Sequence, residues 1–232
     1  MAAKRKSGTR LLFLDLEGTI FAKQRIKLRT GDEKEHHSLW SRIAHELGPE
    51  ALHADAKTVE KWEAGRYKSY MDWCNESLRI HQSHGMTREL FERIQTSIPY
   101  NAEVPETLAV VHNRGIKTAI VSGGFLAQAR RAQQELGITH AYAAADLFWN
   151  HDGRLVHWNI LPSDYEGKVD LVRLLIRQYG FTKAECAFVG DGKNDTHIAE
   201  QVGTSFAYRA HPDLQKVATH TISDFSEILR HI

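Results

Sequence analysis

Three stretches of this sequence place carboxylates, hydroxyls and glycines directly after short apolar runs. They are Asp15-Leu16-Glu17-Gly18-Thr19 after Leu11-Leu12-Phe13-Leu14, Ser122-Gly123-Gly124 after Thr118-Ala119-Ile120-Val121, and Gly190-Asp191-Gly192-Lys193-Asn194-Asp195 after Ala187-Phe188-Val189. A fourth feature, Lys168, opens the helical pattern that precedes the last of these runs. Phosphoryl transfer asks for such a set: a nucleophile, a cation to neutralise the phosphate, donors for its oxygens and an acid for the leaving group. A hard ion such as Mg²⁺ prefers oxygen ligands and keeps several waters, which suits Asp15 and Asp191 supplemented by a backbone carbonyl. Glycines at 123 and 124 let the chain turn tightly at the mouth of the next helix, where unpaired N–H groups favour an anion, and Ser122 adds a hydroxyl.

These residues must be positioned by the elements around them. The run at 11–14 is continuous rather than alternating, as in a parallel strand buried on both faces. From 21 to about 100 the spacing is helical with almost no strand signal, over 38–47, 55–64, 67–83 and 87–98. In the third of these, Tyr67, Tyr70, Met71, Cys74 and Leu78 share one face with Trp73 beside them, so the block reads as a helical cap. Its aromatics, Trp62, Tyr67, Tyr70, Trp73 and Phe91, are expected in the packing of that block rather than in the site. Beyond Pro105, strands alternate with helices, and Asp152-Gly153 marks a hairpin between 147–149 and 155–158. The expected fold is α/β, a doubly wound, Rossmann-like parallel sheet, with residues 1–20 and 101–232 forming a discontinuous core and 21–100 a small inserted cap. In such a sheet ligands bind beyond the carboxyl ends of the strands, where all three polar stretches fall.

With order and spacing in agreement, the four stretches resemble the motifs of the haloacid dehalogenase superfamily, on the branch of phosphatases like phosphoserine phosphatase. The first motif is similar to Asp15-Leu16-Glu17-Gly18-Thr19, the second to Val121-Ser122-Gly123-Gly124-Phe125, the third to Lys168 and the fourth to Val189-Gly190-Asp191-Gly192-Lys193-Asn194-Asp195. The resemblance implies that Asp15 attacks phosphorus to give an aspartyl phosphate and that Glu17 protonates the leaving oxygen and then activates water. It implies Mg²⁺ held by Asp15, Asp191 and the carbonyl of Glu17, phosphate bound by Ser122, Gly123 and Lys168, and support from Asn194 and Asp195. Glu17 stands where these phosphatases usually carry aspartate; the carboxyl is retained, one methylene further out. The cap offers no evident counterpart of the acidic and arginine residues that hold the serine moiety, so phosphoserine is not expected to be the preferred substrate.

The reading is therefore a Mg²⁺-dependent phosphomonoester hydrolase acting on a small phosphorylated metabolite. Phosphoserine phosphatase proper and a phosphotransferase using the same intermediate stay open as alternatives. A non-catalytic phospho-acceptor switch also combines Asp, Mg²⁺ and Lys, but lacks an acid two residues after the acceptor and a large cap. A dehalogenase has no need of the cation site that Asp191 and Asp195 would build. Composition narrows the setting: 232 residues, 42% hydrophobic and 25% charged, suit one sizeable core, and a net charge of +1 gives no broad field for nucleic acid or anionic lipid. No apolar run approaches the roughly 20 residues of a membrane span. Two distant cysteines, Cys74 and Cys186, build neither a disulfide framework nor a zinc site, which fits a reducing cytoplasm. The basic segment 1–6 is expected to be a solvated tail, and the fourteen histidines, His36-His37 included, lack a ligand spacing. The oligomeric state is left open.

Overall fold

The computed structural model describes residues 8–27, 33–36 and 38–232. The basic segment 1–6 and the side chains of His36 and His37 lie outside the described residues. In chain order the elements begin with β1 (Leu11–Leu14), a hairpin of β2 (Gln24–Lys27) and β3 (Glu33–His36), and the helices α1 (Leu39–Leu47), α2 (Pro49–Glu63), α3 (Tyr70–Ser83) and α4 (Arg88–Ser97). Then come α5 (Val104–Asn113), β4 (Lys117–Phe125), α6 (Leu126–Leu136), β5 (His140–Trp149), β6 (Leu155–Ile160), α7 (Glu166–Tyr179) and β7 (Cys186–Gly190). A short α8 (Thr196–Ala199), β8 (Thr204–Tyr208), α9 (Pro212–Val217) and β9 (His220–Ile222) follow, and the last turn is a 3₁₀ helix at Phe225–Arg230.

One seven-stranded sheet carries the molecule, in the order β6-β5-β4-β1-β7-β8-β9. All neighbours are parallel except β5 and β6, the hairpin that Asp152-Gly153 announces. The burial of β1 explains its unbroken apolar run. Leu12 and Leu14 join one hydrophobic cluster and Leu11 and Phe13 the other, each fully buried, so helices cover both faces. On the second face lie Val169, Val172 and Leu175 of α7; on the first, α5 and α6 together with Leu39, Ile43, Leu78, Phe91 and Ile94 of the helical segment. Phe125 is the hinge of that packing, with its ring 4.3 Å from Trp40 and 5.3 Å from Phe91.

Local signals set the helix ends. Ser38, Ser69 and Thr87 each accept an amide hydrogen bond from three residues ahead and so cap α1, α3 and α4, while Gly137 and Gly180 close α6 and α7 in the left-handed conformation. Four sequence expectations need correction. The block 21–100 is not free of strands: β2 and β3 pair antiparallel over four residues each, and their polar sequences Gln-Arg-Ile-Lys and Glu-Lys-Glu-His carry no apolar alternation to betray them. The second helix starts at Pro49 rather than 55, because Pro49 follows Gly48 at the first helical position. Met71 is exposed and Tyr67 precedes α3, so the inward face of that helix is Tyr70, Trp73, Cys74, Ser77, Leu78 and His81. Finally, Ser122-Gly123-Gly124 does not leave the sheet: β4 runs on to Phe125 through an irregularity after Ser122, and α6 starts at once. Among the described residues no helix is long and apolar enough to cross a membrane, and both cysteines are buried and free.

Candidate active site

The three central strands β4, β1 and β7 run parallel, so their carboxyl ends deliver Ser122, Asp15 and Asp191 to one edge of the sheet. A cavity of about 300 Å³ opens there, lined by Asp15, Glu17, Ser122, Gly123, Asp191 and Asn194 among others. Lys168 and Asp195 lie behind this lining, both fully buried. All eight residues singled out from the sequence thus fall in one place, six on the wall and two beneath it.

Lys168, in the first turn of α7, joins the parts. Its ammonium is 2.6 Å from Asp15 Oδ1 and 2.6 Å from Asp195 Oδ1, with Asp164 Oδ1 at 3.9 Å. Burial alone would lower its pKa, but Asp15, Asp195 and Asp164 outweigh that and hold it well above the usual lysine value. Asp15 and Asp191 are pushed upward by burial, with Lys168 opposing at the first and Lys23 at the second. The other oxygen of Asp195 accepts the amides of Asp191 and Gly192, at 3.2 and 3.0 Å, and so fixes the loop after β7. Asn194 donates to Asp164 Oδ1 at 2.6 Å, tying that loop to the start of α7.

Ligand oxygens of Asp15, Asp191 and Asp195 lie within 4.8 Å of one another. Asp195 is engaged by Lys168 and by two backbone amides that fix its loop, whereas Asp15 and Asp191 are held only by side chains that can give way to a hard cation. The Lys23 ammonium sits 2.8 Å from Asp191 Oδ2 and Thr19 Oγ1 donates to Asp191 Oδ1 at 3.1 Å, so this corner of the site already gathers positive charge. The donor chemistry fits a divalent metal of the magnesium type. Gly18, at φ 81°, closes the loop after β1 against Asp191, and a side chain there would run into that carboxylate.

Glu17 is anchored by the helical segment. Its Oε1 accepts the Leu39 amide at 2.5 Å, at the N-terminus of α1. Burial nevertheless pushes the carboxyl up to about 7, with the Leu39 amide opposing and Asp191 and Asp164 adding to the rise. A carboxyl balanced near neutrality can give and retake a proton. Ser122, whose hydroxyl accepts the Gly124 amide at 3.0 Å, holds the opposite wall.

The sequence reading missed several wall residues. Trp40 and Tyr70 reach over from the helical segment and both donate to the Gly123 carbonyl, at 3.2 and 2.6 Å. Tyr70 and Trp73, expected only in packing, line the cavity, as do Asp55, Asp164 and Tyr165. Asp164 had a weak signal, being an acid one turn before Lys168 at a helix start. Lys23 and Asp55 had none, since nothing in their local spacing sets them apart from solvated charges.

The profile of the haloacid dehalogenase-like hydrolase family matches residues 9–203. Among curated proteins, the chain is 31% identical to the phosphoserine phosphatase of Archaeoglobus fulgidus over 148 residues, 62% of this chain and 42% of that protein. It is 30% identical to that of Methanocaldococcus jannaschii over 132 residues, 55% of this chain and 61% of that protein. Both matches span less than two thirds of the relative's own length. The fold is similar to a substrate-bound phosphoserine phosphatase, with a TM-score of 0.74 at 23% identity over 99% of this chain and 100% of that one. It is also similar to a HAD family hydrolase from Salmonella enterica serovar Typhi, with a TM-score of 0.77 at 19% identity over 99% of this chain and 74% of that one.

Proposed function

Because this chain belongs to the haloacid dehalogenase-like hydrolase family, we propose that it is a Mg²⁺-dependent phosphomonoesterase that acts on a small phosphorylated metabolite by way of an aspartyl phosphate on Asp15. The observation that carries this reading is the Lys168 ammonium held between Asp15 and Asp195, beneath a cavity onto which Asp15, Glu17 and Asp191 all open. With Oδ1 of Asp15 taken by Lys168, Oδ2 is the oxygen left to attack phosphorus. Lys168, the Ser122 hydroxyl and the Gly123 backbone receive the phosphoryl oxygens. Glu17, protonated, gives its proton to the departing alkoxide as the ester P–O bond breaks; as carboxylate it then takes a proton from the water that releases phosphate and returns Asp15. Mg²⁺, held by Asp15, Asp191 and the Glu17 carbonyl, would supply positive charge against the repulsion between a carboxylate and a phosphate dianion. Asn194 and Asp195 hold the loop and the lysine in place. Residues 21–100 act as the cap that closes over the substrate, and a reducing cytoplasm suits the two buried thiols.

Phosphoserine hydrolysis is the second reading, favoured by the names of the curated relatives. Against it, the cavity wall carries no arginine or lysine among the described residues to receive a substrate carboxylate. The test is Mg²⁺-dependent release of phosphate from p-nitrophenyl phosphate and acetyl phosphate, with Asp15→Asn as the control. Loss of at least about 10³-fold in the variant, with an unchanged circular dichroism spectrum, is expected for a missing nucleophile. Comparable turnover by Asp15→Asn would remove the assignment.

A further inference from the structure

Besides the residues singled out from the sequence, the cavity is lined by the rings of Trp40, Tyr70, Trp73 and Tyr165 and by the carboxyls of Asp55 and Asp164. A chain of contacts leads from the Gly123 loop to Asp55. Tyr70 holds the Gly123 carbonyl, its ring meets Trp73 edge-on at 5.9 Å, Trp73 Nε1 donates to Thr58 Oγ1 at 2.8 Å, and Thr58 and Ser77 share a hydroxyl contact of 3.3 Å. Thr58 also donates to the backbone carbonyl of Asp55 at 2.7 Å, and the Asp55 carboxyl, whose residue is only 5% exposed, lies on the cavity wall.

Among the described residues Asp55 has no counter-ion. Its neighbour His81 is fully buried, with Nε2 3.8 Å away and neither ring nitrogen hydrogen-bonded, and burial holds that imidazole down to about 3, so it is neutral. Burial pushes Asp55 itself up to about 6, which leaves it an anion at neutral pH. A buried carboxylate without a partner is costly, and a cationic ligand in the cavity would complete the pair. Among the described residues no lysine or arginine lines the wall, whose acidic side chains are Asp15, Glu17, Asp55, Asp164 and Asp191. Tyr70 and Trp73 line the same cavity, where aromatic rings favour a cation over an anion. An anionic tail would be repelled there and a neutral one would leave Asp55 unpaired.

We propose that the preferred substrate is the phosphate monoester of a small cationic amino alcohol lacking a carboxylate, of the ethanolamine or choline type, with its ammonium received by Asp55 beside Tyr70 and Trp73. This deepens, and rests on, the phosphomonoesterase reading of the same site. The cavity of about 300 Å³ lies at the small end of ligand pockets, which suits such esters better than nucleotides. Hydrolysis breaks the P–O bond, the alcohol oxygen leaves with the Glu17 proton, and the free amino alcohol and inorganic phosphate are the products.

The experiment compares kcat/KM for phosphoethanolamine, phosphocholine, phosphoserine, glycerol 3-phosphate and ethyl phosphate, with p-nitrophenyl phosphate and acetyl phosphate as tail-independent controls. The two amino alcohol esters should lead, and phosphoethanolamine should exceed its uncharged analogue ethyl phosphate by about 10²-fold, as expected for a buried charge pair. Asp55→Asn should collapse that ratio towards one. Choline or tetramethylammonium should compete with substrate in the wild-type protein, which gives a readout that needs no folded variant. If the controls turn over but glycerol 3-phosphate or phosphoserine leads, or cations do not compete, this inference is overturned and the phosphatase reading stands. If no ester in the set releases phosphate with Mg²⁺, the phosphatase reading itself has failed.

Discussion

At Glu17, burial lifts the carboxyl from 4.5 to about 7, which decides how the first chemical step responds to pH. The acid form is the useful one when the departing oxygen is basic, and it is lost as pH rises through about 7. Single-turnover rates with alkyl phosphates should therefore fall above neutrality, while p-nitrophenyl phosphate, whose leaving group needs little help, stays level. Glu17→Gln should flatten the alkyl profile and lower its rate by about 10²–10⁴-fold. Equal losses on both substrates would contradict the acid role. At Asp55 a raised pKa bears on stability instead. Its folded value of about 6 against 3.8 means that the folded chain binds more protons than the unfolded one between those values. Stability from this group thus falls as pH rises from about 4 to 6, and the full cost is present above 6. Asp55→Asn keeps the size of the side chain and removes the charge. It should unfold at higher urea than wild type at pH 7.5, by an amount on the order of 3 kcal/mol or less, and the gap should close near pH 4. A gap that does not vary with pH would show that the carboxyl is not titrating there.

Among the elements, α7 has the heaviest duty, because its first turn carries a lysine beneath the floor of the site. Lys168→Met would leave Asp15 and Asp195 facing one another without the ammonium between them. Breaking a buried ion cluster by removing one partner costs about 3–5 kcal/mol, so the urea midpoint should drop by that equivalent. A loss under about 1 kcal/mol would mean that the carboxyls relax by protonation alone. Elements of this kind were legible in the sequence for a definite reason. Strands β1, β4 and β7 are buried on both faces and so read as unbroken apolar runs, each stopping at a polar residue. Helices α1, α3 and α4 were read from their apolar spacing, with the start of α3 set at Tyr67 rather than Tyr70 because the capping role of Ser69 went unread; the side chains of Ser38, Ser69 and Thr87 hold the first free amides. The hairpin β2–β3 was invisible because neither Gln-Arg-Ile-Lys nor Glu-Lys-Glu-His alternates apolar with polar residues. Asp55 was invisible because what makes it special is the approach of Ser77 and His81 from α3, and spacing along α2 contains no trace of its neighbour.

On the scale of the whole molecule, residues as far apart as 15 and 191 meet because β4, β1 and β7 are adjacent and parallel, and that much follows from strand order alone. What strand order does not supply is the ceiling. Trp40, Tyr70 and the Leu39 amide come from helices whose placement over the sheet depends on the fit around Phe125. The Leu39 contact has a consequence in time. Glu17 belongs to the sheet through the chain and to α1 through a 2.5 Å hydrogen bond, so its orientation is tied to the position of α1. In the proposed mechanism, a lift of α1 that let the alcohol escape would cost Glu17 the donor that orients it, and entering water would meet a phosphorylated Asp15 without an aligned base. The phosphoryl-enzyme would then outlive the open interval and hydrolyse only after reclosure. Its decay, followed by quench after a single loading, should accordingly slow in viscous solvent, whereas an acid fixed to the sheet alone would leave that lifetime indifferent to viscosity.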